Sequence, residues 1–393
     1  MGITVENMAW LLLLATIVAI GARRFRLPYS VGLLGAGVLI ALSPLTPNVV
    51  PTKELIFTLF LPPLIFESAF LLRWDELRRD MAPLVLMATV GVIASAVVIY
   101  FGMTRLLGWD WRAALMFSTL ISATDPVAVV AMLKEAKATG RFRLIIEAES
   151  LFNDGTAAAL FVVALSVVGG QDSSPLAATA TFLKVAGGGL ACGGLVGGLV
   201  LFLMGRTEDH LVEIACTVVA AFGSFLFAEH FGFSGVLATV VAGLMLGNIG
   251  PLRVLSAKGR DDAETFWEFG AFAANSVLFL LMGSQLAKMS YMPFLSAMGI
   301  AVLLILLGRA AAVYGVMAFF GRSRHRLDWL SQHLLVWGGL RGALGMALAL
   351  GLPANLPMRG EVLAVVFAVV AFSTVVQGIT IRPALAKLPD QAI

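Results

Sequence analysis

About thirteen apolar stretches, most of them long enough for a helix to cross a bilayer, follow one another along this sequence. Hydrophobic residues make up 59% of the chain and charged residues 13%, and the mean hydropathy is +0.94. These values exclude an ordinary soluble protein. We therefore predict an all-α polytopic membrane protein whose spans lie at residues 8–22, 28–43, 54–72, 82–104, 112–134, 143–169, 176–205, 211–229, 232–250, 263–287, 292–320, 331–352 and 361–386.

Basic residues are distributed unevenly over the predicted loops. Nineteen lysines and arginines lie in loops that follow odd-numbered spans or in the C-terminal tail, against five in the other loops. Because cytoplasmic loops collect Lys and Arg, we predict a cell (inner) membrane protein with its N-terminus outside and its C-terminus in the cytoplasm. The formal net charge is only +3, so nucleic acid is not an expected partner.

The fifth and twelfth spans carry signals that interrupt a helix. Asp125-Pro126 lies near the middle of the fifth span, and residues 338–342, Gly-Gly-Leu-Arg-Gly, lie at the matching depth of the twelfth. Interrupted helices at equivalent places in two inverted repeats indicate a transporter's binding site. We predict one membrane transport domain over 1–393, with repeats 8–169 and 211–386, linker helix 176–205 and no soluble regulatory domain.

Six charged side chains fall inside these apolar spans, where an unpaired charge is costly. They are Glu67, Asp125, Glu149, Asp154, Arg309 and Arg341. Since the four acids outnumber the two bases, two ion pairs would leave two carboxylates available for a cation or protons.

Glu149 and Asp154 should have different partners, because five residues along a helix turn their side chains roughly 140° apart. We expect Glu149 to pair with Arg309, since each removes the other's cost of burial. Asp154 is then left to bind a proton, which desolvation favours, or a monovalent cation. The hydroxyls of Thr124 and Ser150, with carbonyls freed by the break at Pro126, would supply further oxygen ligands.

Two motifs carry a resemblance to a known family. Residues 123–129, Ala-Thr-Asp-Pro-Val-Ala-Val, and residues 149–155, Glu-Ser-Leu-Phe-Asn-Asp-Gly, resemble the paired signatures of the electroneutral sodium/proton exchangers. These belong to the monovalent cation:proton antiporter superfamily. Residues 61–68, 234–238, 338–343 and 373–378 resemble further family segments in the same order, so the chain is similar to a prokaryotic member over nearly its whole length.

The resemblance implies a homodimer, crossed broken helices at spans 5 and 12, and elevator-like alternating access. It implies that Asp154 carries cation and proton in turn. Asn153 stands where electrogenic relatives have a second aspartate, which implies one H⁺ per cation. The resemblance also implies that Thr124, Asp125 and Ser150 ligate Na⁺ together with Asp154, and that Glu67 lies nearby. It further implies a structural ion pair of Glu149 with Arg309 or, as second choice, with Arg341.

The resulting prediction is a secondary antiporter that exchanges Na⁺ or Li⁺ for H⁺, with no enzymatic activity and no cofactor. A K⁺/H⁺ antiporter on the same scaffold is the nearest alternative. A cation channel and an intramembrane aspartyl protease are alternatives of other classes, and the protease is disfavoured because neither Asp125 nor Asp154 has the Gly-x-Gly-Asp context. For the deep polar residues Asn275 and Gln377, we expect hydrogen bonds between helices unless they line the ion path.

Overall fold

The computed structural model describes residues 5–25, 28–43, 52–125, 129–130, 133, 140–171, 174–289 and 291–385, and all regular structure within these ranges is helical. This confirms the predicted all-α class. The helices are α1 (Val5–Phe25), α2 (Tyr29–Ala41), α3 (Lys53–Leu71), α4 (Trp74–Leu77), α5 (Met81–Leu106), α6 (Trp111–Ile121), α7 (Arg141–Val168), α8 (Pro175–Met204), α9 (His210–His230), α10 (Gly235–Arg253), α11 (Ala257–Leu286), α12 (Met292–Phe319), α13 (Trp329–Trp337), α14 (Ala343–Leu350), α15 (Arg359–Thr380) and α16 (Arg382–Leu385).

Many of these helices have the length and composition of membrane spans. In the described part of the chain, eight are long and apolar enough to cross a membrane, namely α3, α5, α7, α8, α9, α11, α12 and α15. Shorter apolar helices lie within α1, α2, α6 and α10. The chain is therefore a multi-pass membrane protein, whereas the count of thirteen crossings and the orientation of the termini stay predictions.

Capping side chains explain where several helices begin. Asp110, Asp209 and Asp328 accept hydrogen bonds from main-chain N–H groups two or three residues later, at the starts of α6, α9 and α13. Ser256 does the same at the start of α11. These oxygens satisfy N–H groups that have no partner inside the helix, and so fix the ends of segments that the apolar pattern alone leaves open.

Two of the predicted spans are interrupted, and the interruptions cross each other. Helix α6 ends at Ile121 and residues 123–125 are not helical, while α13 ends at Trp337 and α14 begins at Ala343. The main-chain N–H of Asp125 donates to the carbonyl oxygen of Leu340 at 2.8 Å. Pro126, to which the first break was attributed, lies outside the described residues. The crossed broken helices are thus as predicted.

The helices pack as two groups. The first helix group consists of α1, α2, α3 and α8–α11, and the second helix group consists of α5–α7 and α12–α15. Contacts within each group are extensive, and α7 makes most of the contacts between them, with α3, α8 and α10. The site residues lie near this boundary. The division into inverted repeats with a linker helix stays a prediction.

Candidate ion-binding site

A buried ion pair anchors α7 to α12. The carboxylate of Glu149, which is 1% exposed, accepts hydrogen bonds from both terminal nitrogens of Arg309 at 2.6 and 2.8 Å. The Nε of Arg309 donates to the carbonyl oxygen of Leu335 at 3.2 Å. This two-pronged geometry is the strongest form of a carboxylate–arginine contact, so Glu149 is fully engaged and unavailable to a transported ion.

Asn153 lies one helical turn after Glu149 and ties α7 to the first break. Its side-chain nitrogen donates to the hydroxyl of Thr124 at 2.6 Å and to the carboxylate of Glu149 at 3.2 Å. Its side-chain oxygen accepts from the main-chain N–H of Thr124 at 3.2 Å. Asn153 is completely buried. Asn153 therefore lies between the ion pair and the broken helix. That its uncharged side chain sets a stoichiometry of one H⁺ per cation stays a prediction.

Arg341, in the second break, contacts the end of α6. Its Nη1 donates to the carbonyl oxygens of Ser122 at 2.8 Å and Ala123 at 2.5 Å. The hydroxyl of Ser150 donates to the carbonyl oxygen of Thr124. Protein donors therefore bond these three carbonyl oxygens, each of which keeps a second lone pair, and their role as cation ligands stays a prediction. Arg341 bonds these carbonyls rather than Glu149, although its charge also acts on the acids nearby.

Asp125 links the first break to the helix that follows the second. Its carboxylate accepts a hydrogen bond from the main-chain N–H of Ala343, the first residue of α14, at 3.3 Å. A negative charge at this position is stabilised by the N-terminal end of the helix dipole. Asp125 is half-buried, and it lines the cavity described next.

A partly open cavity of about 360 Å³ brings most of the predicted site together. Asp154, Asp125 and Ser150 line it from the second helix group, and Glu67 of α3 lines it from the first helix group. Asp154 is half-buried, and among the described residues its carboxylate makes no hydrogen bond or ion pair with the protein. Thr124 is 3% exposed and lies behind the cavity wall rather than on it.

The charges around Asp154 suit competition between ions. Asp125 and Glu149 add negative charge, and Arg341 adds positive charge, at distances where each acts electrostatically on Asp154. With Glu149 neutralised by Arg309, the surplus is negative whenever both aspartates are ionised. A monovalent cation or a proton cancels that surplus, and each makes the other less favourable.

The cavity also contains charged residues that sequence reasoning did not single out. Arg143 and Glu147, paired at 2.8 Å, line it together with Glu268 and Arg382. These side chains lie close to the ends of predicted spans, where charge is ordinary and carries no signal of function. The arginines belong to loops predicted to be cytoplasmic, so the cavity reaches that end of the helices.

The two deep polar residues behave differently from each other. The side-chain nitrogen of Gln377 donates to the carbonyl oxygen of Trp337 at 2.9 Å, which confirms the expected bond between helices. Asn275 lines the cavity instead.

Comparison with known proteins gives consistent matches. The sequence profile of the family described as "Sodium/hydrogen exchanger, transmembrane" matches residues 11–387. The chain is 35% identical to the Na⁺/H⁺ antiporter ApNhaP of Aphanothece halophytica over 377 residues, which are 95% of this chain and 72% of that protein. It is 33% identical to the Na⁺/H⁺ antiporter NhaH of Halobacillus dabanensis, with 96% of each chain covered.

A solved structure has a similar fold. The structure of the sodium proton antiporter MjNhaP1 from Methanocaldococcus jannaschii covers 98% of this chain and 98% of its own, with a TM-score of 0.77 at 20% sequence identity. At that identity, the likeness establishes the arrangement of the helices.

Proposed function

This chain belongs to the sodium/hydrogen exchanger family, and on that premise we propose that it exchanges Na⁺ or Li⁺ for H⁺ across the cell membrane by competition for Asp154. Its relatives are named as antiporters, which points to a transporter rather than an enzyme. The proposed Na⁺ ligands besides Asp154 are Thr124, Asp125 and Ser150, with Glu67 nearby.

One observation carries the proposal: Asp154 faces a cavity without a hydrogen bond or ion pair in the described part of the chain, while Glu149 five residues earlier is bound by Arg309. A carboxylate that is held by neither a donor nor a base can take up and release a proton. The hydroxyl oxygen of Ser150 beside it adds a ligand suited to Na⁺. Competition of this kind couples two gradients without ATP.

We test the proposal in proteoliposomes with an imposed pH gradient. Adding Na⁺ or Li⁺ outside should drive H⁺ movement in the opposite direction, and Asp154→Asn should abolish it while leaving the protein folded. Ser166→Ala provides a matched control, because this serine lies on the same helix and outside the cavity. Retention of full exchange by Asp154→Asn would refute the assignment. K⁺ in the same assay decides between Na⁺/H⁺ and K⁺/H⁺ exchange.

The proposal includes electroneutral exchange of one H⁺ per cation. The support is that Asn153 is uncharged and engaged with Thr124 and Glu149, which leaves Asp154 as the carboxylate that titrates with transport. Clamping the membrane potential with valinomycin and K⁺ should leave the Na⁺-driven rate nearly unchanged. Strong voltage dependence would contradict the role of Asn153.

The proposal also includes alternating access and a homodimer. A cavity lined by Asp154 of the second helix group and Glu67 of the first supports a sliding movement of the second helix group relative to the first. In that movement Asp154 would carry its ion between the two membrane faces. Cross-linking of cysteine pairs across the boundary, introduced at positions that meet only in the opposite state, would test it.

A further inference from the structure

Two polar side chains in the cavity have no part in the exchange proposed above. Ser30, at the start of α2, is 4% exposed, and Asn275 lies within α11. Both line the cavity. Their side-chain oxygens are buried, and neither oxygen finds a hydrogen-bond partner within the described ranges. We call these two atoms the orphaned oxygens. Buried oxygens without partners are costly, so a pair of them in one cavity points to a ligand.

The helices that carry the orphaned oxygens form a rigid pair. The hydroxyls of Tyr29 and Ser276 are hydrogen-bonded at 2.7 Å, and the ring of Tyr29 stacks on Phe272 with centroids 5.3 Å apart. About two turns further along α2, a Cβ added at Gly37 would clash with the carbonyl oxygen of Leu280 in α11, so the two backbones touch. The residues next to Ser30 and Asn275 in sequence are therefore held in place, which keeps the backbones that carry the orphaned oxygens close together.

A carboxylate completes the set of oxygens. Glu67 lines the same cavity from α3, which packs against α11 within the first helix group. A serine hydroxyl, an amide oxygen and a carboxylate are all oxygen ligands of the kind that replaces the hydration shell of a small alkali cation. Asp154 belongs to α7, in the second helix group, and lines the same cavity.

We propose that Ser30 and Asn275, together with Glu67, form a second cation site on the first helix group, which Na⁺ or Li⁺ occupies before it reaches Asp154. The inference rests on the proposed function, because it concerns the same transported cation. Its physical basis is stepwise dehydration. Oxygens of the first helix group replace part of the ion's water before Asp154 and Ser150 of α7 replace more, so no single step removes the whole shell.

The test measures the Na⁺ dependence of H⁺ movement in proteoliposomes at fixed pH. Ser30→Ala and Asn275→Leu should each raise the KM for Na⁺ roughly tenfold, the effect of losing one well-placed ligand, with the maximal rate within about twofold of wild type. Asn275→Asp keeps an oxygen and should restore a low KM. Matched controls are Ser95→Ala and Gln285→Leu, which remove polar atoms that are also buried without a partner in the described chain but lie outside the cavity. These should leave KM unchanged.

The outcomes separate this inference from the proposed function. If Ser30→Ala and Asn275→Leu kept the wild-type KM for Na⁺ while Asp154→Asn was inactive, the second site alone would be overturned. Equal rises in KM for the Ser95 and Gln285 controls would also overturn it, because the effect would then be one of packing. Full exchange by Asp154→Asn would instead refute the proposed function. Should Asn275→Leu fail to fold, Ser30→Ala and Asn275→Asp supply the test.

Discussion

The buried pair of Glu149 and Arg309 offers a quantitative test of how charge is arranged inside the second helix group. Glu149 is 1% exposed and Arg309 is 6% exposed, and they share hydrogen bonds of 2.6 and 2.8 Å. Removing one partner leaves the other charge buried and unpaired, which costs about 3–5 kcal/mol. Glu149→Gln and Arg309→Gln should therefore each lower the free energy of unfolding by about that amount.

The double variant should be less destabilised than either single variant. It removes both charges and leaves two amides that can hydrogen-bond to each other, so the coupling energy should be at least about 3 kcal/mol, the top of the range for residues in contact. Glu149→Gln should be the worse single change, because it leaves Arg309 beside the positive charge of Arg341. Arg309→Gln leaves Glu149 with Asn153 as a donor.

The assay is a double-mutant cycle on the purified protein, with unfolding in mixed detergent micelles followed by tryptophan fluorescence. Arg260 and Glu264 form the control pair, since their 2.8 Å contact lies on the surface of α11 with side chains 47% and 35% exposed. Their coupling should be about 0.5 kcal/mol or less. Strict additivity for Glu149 and Arg309, or equal coupling in the two pairs, would refute the reasoning.

Two further predictions concern the breaks and the loops. Gly342→Ala should strongly reduce exchange, because its Cβ would clash with the carboxylate of Asp125 and displace it from α14; Gly360→Ala, whose Cβ meets open space, should transport normally in the same assay. Burial raises the pKa of Asp80, but hydrogen bonds from Arg141 and His325 outweigh it and hold the pKa below its ordinary value. The stability that ionised Asp80 contributes is fully present above the ordinary pKa of about 3.9 and is lost as the pH falls. Asp80→Asn should therefore destabilise the protein by about 1–3 kcal/mol near neutral pH. In denaturation curves the difference from wild type should shrink progressively toward about pH 3.

Much of the fold followed from local signals. The apolar stretches located the helices to within a few residues, and the glycines at 338–342 located the second break. The angular argument that separates Glu149 from Asp154 agrees with the structure, in which one meets Arg309 and the other faces the cavity. These features depend on short-range periodicity and on the cost of burying charge.

For features that depend on how distant helices cross, the sequence left alternatives open. Arg309 and Arg341 both lie at depth, and only the crossing decides that one meets Glu149 and the other meets the carbonyls of Ser122 and Ala123. Asn275 and Gln377 have the same sequence pattern, a polar residue deep in an apolar span. That pattern does not show whether the side-chain oxygen meets a hydrogen-bond donor.

The hydrogen bond between Asp125 and Leu340 joins the two non-helical segments through their main chains. The guanidinium of Arg341, in the second segment, donates a hydrogen bond to the carbonyl oxygen of Ser122 at the end of α6. Breaking these bonds in an apolar interior would strand several polar groups at once. We therefore expect the two segments to move together, as one unit, in the proposed alternating access, rather than to act as independent gates.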